Sequence, residues 1–505
     1  MENGKTRQRR QGGTRVSQKH GQRNGLGEAT GVPKRGGDGH DLNESADVAW
    51  YRRQDVLVWA GGMAFIAALI GAINTLGNYR GWDAPNGFLY DQANTSRARF
   101  LPEPFIEEPG VKGRYGVQPV IRWYFWKLRP ELVTPWTRLF VWGCYTVHQL
   151  LAWWLLYLAQ VNQQSQKGKK YSPRLSKYNW AAVAVHTFFH LMHLAQTHVT
   201  YDATAQDVSI FSSQGSVIVA LLLMMVIEFR DRGVFFNWPS STSTDNMGKA
   251  LRSSTHRSVT LVRKYHGYVI MWAAVYTFWY HPMENTLGHV MGFVNTWIFM
   301  LQGGLAYTDM HLNKYWRFVL ETWVALHGAI VAYQTGGPTG YWPMFTFGFS
   351  ALVVITQLFT LPFWTRLPPW TRYIPTLVYL AITLYAYSGL PDAKGRLWTR
   401  LWEPIIIPLN QYFYALVICG LVTLCLNIET KFYASFVHKK AGTVGYVACV
   451  VGFLLMYLAT ILMSWAYQYY DVQLPGNPMV YFVSVFTPCV IVATFFVKRL
   501  VEARG

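Results

Sequence analysis

Apolar residues run along this chain in long blocks separated by short polar or basic connections, and no block keeps the every-second-residue alternation of a membrane β-barrel strand. The blocks fall at 56–77, 139–160, 180–199, 215–229, 266–280, 287–307, 316–335, 342–363, 373–388, 411–428, 444–465 and 479–497. A helix of about 20 apolar residues crosses the ~30 Å hydrocarbon core of a bilayer. The pattern therefore predicts an all-α, polytopic integral membrane protein with about twelve transmembrane helices. Its first partner is the lipid bilayer.

Charge adds an orientation to this picture. The formal net charge of +19 suggests a nucleic-acid partner until its distribution is followed. Basic residues concentrate in the N-terminal tail, in loops 167–177, 230–264, 314–317, 366–372 and 431–440, and after Lys498. With twelve spans and a cytoplasmic N-terminus, all of these fall on one side, as the positive-inside rule requires. No nucleic acid is expected. Residues 1–50 have almost no large apolar side chain and are expected to form a disordered, basic cytoplasmic tail rather than a signal peptide.

The long loop 78–138 then lies on the lumenal side and carries the sequon Asn94-Thr95-Ser96. This points to a glycoprotein of the endoplasmic reticulum or another secretory-pathway membrane. A second sequon, Asn43-Glu44-Ser45, falls in the tail and is expected to be unused. Cys144, Cys419, Cys425, Cys449 and Cys489 all sit in apolar blocks, where they read as packing residues without disulfides. Aromatic side chains at the block ends, among them Trp50, Tyr51, Trp180, Trp279, Tyr280 and Trp364, are expected to anchor the interfaces.

The chemistry lies in the histidines. In residues 51–335 almost every block carries histidine or a polar partner, whereas 336–505 embed no histidine and read as scaffold. Ionisable side chains are costly in a bilayer and face protein interior, where they bind something or move protons. His186, His190 and His193 stand at i, i+4 and i+7 and share one helix face. His198, Asp202, His281, Glu284 and His289 gather near the lumenal ends, while His148 and His327 sit near mid-membrane. Imidazole and carboxylate together suit zinc or non-haem iron.

The expected ligands are His148, His186, His190, His193, His198, His281 and His289, with Asp202 and Glu284 as proton-handling catalytic groups. Such a set implies a membrane-embedded, metal-dependent oxidoreductase acting on a lipid-like or hydrophobic small molecule. Iron is favoured over zinc, and a separate electron donor is a further expected partner. The paired-histidine boxes of membrane desaturases are absent, since no two histidines are adjacent.

Three other classes remain open at this stage. One is a b-type haem electron carrier that uses histidines at the two ends of one helix. His266 and His281 are fifteen residues apart, within about 60° of one face, and His327 is a further axial candidate. The others are a proton-coupled transporter and a non-catalytic membrane subunit. No nucleotide-binding motif marks any soluble domain.

Overall fold

The computed structural model describes chiefly residues 49–79, 134–165, 171–199, 210–233, 243–281, 287–336, 340–392, 394–436 and 478–504, with scattered residues between. The tail 1–48, most of the 78–138 loop, and His198, Asp202 and Glu284 as side chains lie outside the described residues.

Among the described residues, eleven α-helices occupy predicted blocks. They are α1 (Gln54–Tyr79), α2 (Pro135–Ser165), α3 (Lys177–Val199), α4 (Ile210–Arg232), α5 (Asn246–Tyr280), α6 (Leu287–Gly304), α7 (Lys314–Gly336), α8 (Trp342–Ile355), α9 (Tyr373–Ser388), α10 (Glu403–Phe436) and α11 (Pro478–Arg504). The block at 444–465 lies almost wholly outside the described residues. Two minimal antiparallel ladders, Phe105–Glu107 with Ile121–Trp123 and Lys112–Gly113 with Gly116–Val117, are the strands described in the 78–138 loop.

The count of spans needs correction. Among the described residues, four stretches are long and apolar enough to cross a membrane: Gln54–Leu76, Pro135–Gln164, Trp342–Thr360 and Glu403–Thr430. The reason that about twelve do not qualify is physical. Histidines dilute the hydropathy of α3. The stretch expected as a basic loop, 230–264, turns out to form the first turns of α5 from Asn246 onward. Asp245 caps that start by accepting from the Gly248 amide at 2.7 Å. At 35 residues, α5 spans about 52 Å at 1.5 Å per residue, so its basic end projects beyond any hydrocarbon layer.

The core is built by α2 to α6, with α1, α7, α8, α10 and α11 packed around them. Close approach is secured at small residues. The Trp297 indole donates to Gly62 O at 2.8 Å, and a Cβ at Gly62 would meet Leu301 Cδ2 at 2.7 Å. By contrast α9 exposes Leu377, Val378, Leu380, Ile382, Leu384 and Tyr385. Apart from the stripe that buries Thr383 and Tyr387, this exposed apolar surface suits lipid.

Polar ties fix the two ends of the bundle. At one end Asp55, fully buried, accepts from Arg53 at 2.7 Å and from the Met310 amide at 2.8 Å. Asn179 there uses its whole amide, accepting from Ser176 and donating to Gly304 O and Ala306 O at 2.7 and 2.9 Å. At the other end Asp207 holds Arg138 and the Trp142 indole, each at 2.9 Å. These are called below the Asp55 end and the Asp207 end.

Candidate functional site: a buried histidine array

Four histidines lie deep in the bundle, at 0–2% exposure: His148 on α2 and His186, His190 and His193 on α3. The shared face predicted for the α3 trio is realised, and α5 covers it with Phe278 and Trp279.

The hydrogen bonds settle which ring nitrogens carry protons. The Trp279 indole N–H lies 3.1 Å from His148 Nδ1, and an indole can only donate. His148 Nδ1 is therefore an acceptor, and the proton sits on Nε2. That Nε2–H faces His186 Nδ1 at 3.0 Å and donates to it. His186 must then hold its own proton on Nε2. The chain Trp279→His148→His186 thus runs in one direction and keeps both rings neutral, because neither has a second proton in this arrangement.

His190 and His193 form a second unit. His190 Nδ1 donates to His186 O at 2.9 Å, and His193 Nε2 donates to Phe278 O. A carbonyl can only accept, so the lone pairs lie on His190 Nε2 and His193 Nδ1. His190 Nε2 is buried with no hydrogen-bond partner among the described residues. Its ring is enclosed by Phe278, Phe293 and Trp297, with centroids 4.4, 5.0 and 4.7 Å away.

Toward the Asp207 end the array continues through His281 and His289, whose rings are 5.6 Å apart, and Ser213 Oγ lies 3.4 Å from His281 Nε2. His327 belongs to this group, its Nε2 packed against Gly292. At the Asp55 end His266 and His311 approach to 6.5 Å, but each Nδ1 donates to a backbone carbonyl, Arg263 O and Gln302 O. In this loop, outside the spanning helices, burial pushes His311 down to about 4.

Two sequence expectations change here. Trp279 and Tyr280 are not interfacial anchors, for both are 0% exposed. Trp364 is also buried, whereas Trp50, Tyr51 and Trp180 are exposed as expected of anchors. Trp279 is the residue of the array that the sequence pattern did not reveal, because a tryptophan at a block end has the composition of an anchor wherever it points.

The fit of a metal can be tested on the donors themselves. Among the described residues no three His, Cys, Asp or Glu side chains converge as a ligand set. His148 has no lone pair to offer, since Trp279 occupies Nδ1 and Nε2 carries the proton. His186 Nδ1 is likewise taken. The described residues therefore do not fit a metal centre at His148 and His186. Cys144, Cys419, Cys425 and Cys489 are unpaired thiols.

Comparisons with protein-family models, with curated proteins and with solved structures give no match.

Proposed function

We propose that this chain is a multi-pass membrane protein, with its N-terminus on the cytoplasmic side, whose histidine array carries protons through the bundle in proton-coupled transport. The observation that carries this reading is His190. Its Nε2 is a buried, partnerless base with histidines toward both ends of the bundle. A proton taken up there creates an imidazolium enclosed by three aromatic rings, whose quadrupoles offset part of the desolvation that burial costs a cation. His186 and His193 lie about 10 Å apart along the helix axis, so the array covers a large part of a ~30 Å core once His281 and His289 are added.

Trp279 divides that array. Its ring stacks on His193 with centroids 4.8 Å apart, while its N–H blocks His148 Nδ1. A proton from the His193 side enters the His148–His186 pair only when the indole swings away. This makes Trp279 the gate of the relay.

The test is proton flux in proteoliposomes with an entrapped pH dye. His190→Ala is expected to lower the flux at least tenfold while the protein still elutes as a folded species. Unchanged flux in His190→Ala would sink the relay. A metal-dependent oxidoreductase acting on a hydrophobic molecule is the second reading. One observation favours it: His190 and His193 each donate one N–H to a carbonyl, as ligand histidines do. Elemental analysis and an absorption spectrum of the same preparation decide between the two. Stoichiometric iron or zinc lost in both His190→Ala and His193→Ala would establish the metal reading, and a Soret band would establish haem.

A further inference from the structure

A narrow slot opens between α2, α3, α5 and α6, lined by Ala152, Ala159, Ala182, Gly303, Ala306 and, at its foot, His186. Tyr178 and Asn179 also border it, and Asn179 is bonded to Gly304 O and Ala306 O near the Asp55 end. The distance from Asn179 to His186 is about 10 Å along α3. Leu155, Leu156 and Met271 complete the apolar walls, and room remains for about one water molecule.

The polar group at the foot is defined by the bonds already described. His186 Nδ1 is committed to His148, so the ring nitrogen that remains is Nε2, and it carries a proton. Among the described residues the His186 ring bonds only through Nδ1, and the ring lines the slot. Asn179 cannot serve as that partner, because its amide is fully used. The His186 ring is only 2% exposed, so an N–H there is costly without an acceptor, and water in the slot, bordered on its other side by Tyr178 and Asn179, removes the cost.

Resting on the relay described above, we propose that this slot is a water-binding site and the aqueous port of the His148–His186 pair toward the Asp55 end. The transfer balances. When Trp279 releases His148, a proton added at His148 Nδ1 makes that ring an imidazolium. Its Nε2 proton passes to His186 Nδ1, and the His186 Nε2 proton passes to the slot water. One proton enters and one leaves, both rings end neutral with the proton on Nδ1, and ring reorientation restores the starting tautomers. The small residues set the bore. A Cβ at Gly303 would collide with Met271 Cε, which is also part of the wall.

Radiolytic hydroxyl labelling tests the port without relying on transport, because the radicals form from water already bound at the site. Met271 in the full chain, whose side chain lines the slot, is expected to be oxidised. Met300, 0% exposed and away from the slot, is expected to stay unmodified. If Met271 is labelled no more than Met300 in folded protein, the port is overturned, whatever His190→Ala does to flux. Filling is the second measurement: Ala182→Leu is expected to cut proton flux at least fivefold and leave the elution profile unchanged. Met271 labelling combined with full flux in Ala182→Leu would overturn the port as a proton path and leave the His190 relay standing.

Discussion

A single indole nitrogen determines what the deepest histidine pair can do. Because Trp279 N–H can only donate, it fixes the His148 tautomer, and His148 in turn fixes His186. Trp279→Phe keeps the aromatic body and removes the N–H. The expected outcome is faster proton leak through proteoliposomes, with a small change in melting temperature. A purely structural tryptophan would instead give a lower melting temperature and no rise in leak. The depth of the histidines was legible in the sequence, because embedded position follows from the apolar blocks. The tautomers were not, because they depend on partners more than a hundred residues away, as in the Trp279–His148 contact.

His311 makes a different prediction at the same scale. Its ring donates to Gln302 O, and Gln302 Nε2 donates back to His311 O, which makes it a loop fastener rather than part of the relay. Burial holds it at about 4 when folded, below the ordinary histidine value of 6.5. The unfolded chain therefore binds the extra proton between about pH 6.5 and 4, and the stability that neutral His311 contributes is present above 6.5 and lost as pH falls toward 4. Melting curves at pH 7.5 and pH 5 should show a smaller acid-induced drop for His311→Ala than for wild type. An equal drop would remove His311 as a contributor.

Among the helices, α3 is the element on which the site depends, and its seat is Asn179. That amide makes four hydrogen bonds, two of them to carbonyls just beyond or at the end of α6. Asn179→Ala leaves Gly304 O and Ala306 O without their donor, at a cost of about 1–3 kcal/mol for each buried group. A lowered melting temperature in detergent is expected, with helix content by circular dichroism retained in the folded baseline. Asn179→Asp, which keeps the acceptors and loses the donors, should be destabilised comparably; wild-type stability there would show that the carbonyls do not need Asn179. The helices themselves were readable from the apolar blocks, since eleven of the predicted positions are helical. The start of α5 was not. Residues 246–264 are mostly basic and polar, and their few apolar positions form no block, although the helix is held by the Asp245 cap and by packing of Val259, Leu261 and Val262.

For the molecule as a whole, the open question is how many helices cross the bilayer, and here two physical criteria disagree. Hydropathy admits four stretches. Charge distribution fits twelve, because the basic segments then share one side. On the reading proposed above, a helix that carries four histidines, as α3 does, fails a hydropathy test yet suits a bilayer when its polar groups are sealed against α2 and α5. Exposure of 0–2% at His148, His186, His190 and His193 is that seal. The two counts place the connection after α5 on opposite sides. With only the four apolar stretches spanning, residue Asn285 shares a side with Ser165; with all the helices spanning, the two lie on opposite sides. Ser165→Cys and Asn285→Cys, labelled with a membrane-impermeant maleimide on sealed right-side-out and inverted vesicles, should therefore react from opposite sides. Mobility on gels adds the orientation, since Asn94→Gln is expected to remove a glycan and Asn43→Gln to change nothing. If both cysteines react from the same side, α3, α4 and α5 do not form three successive crossings, and the relay would have no second compartment in which to deliver its proton.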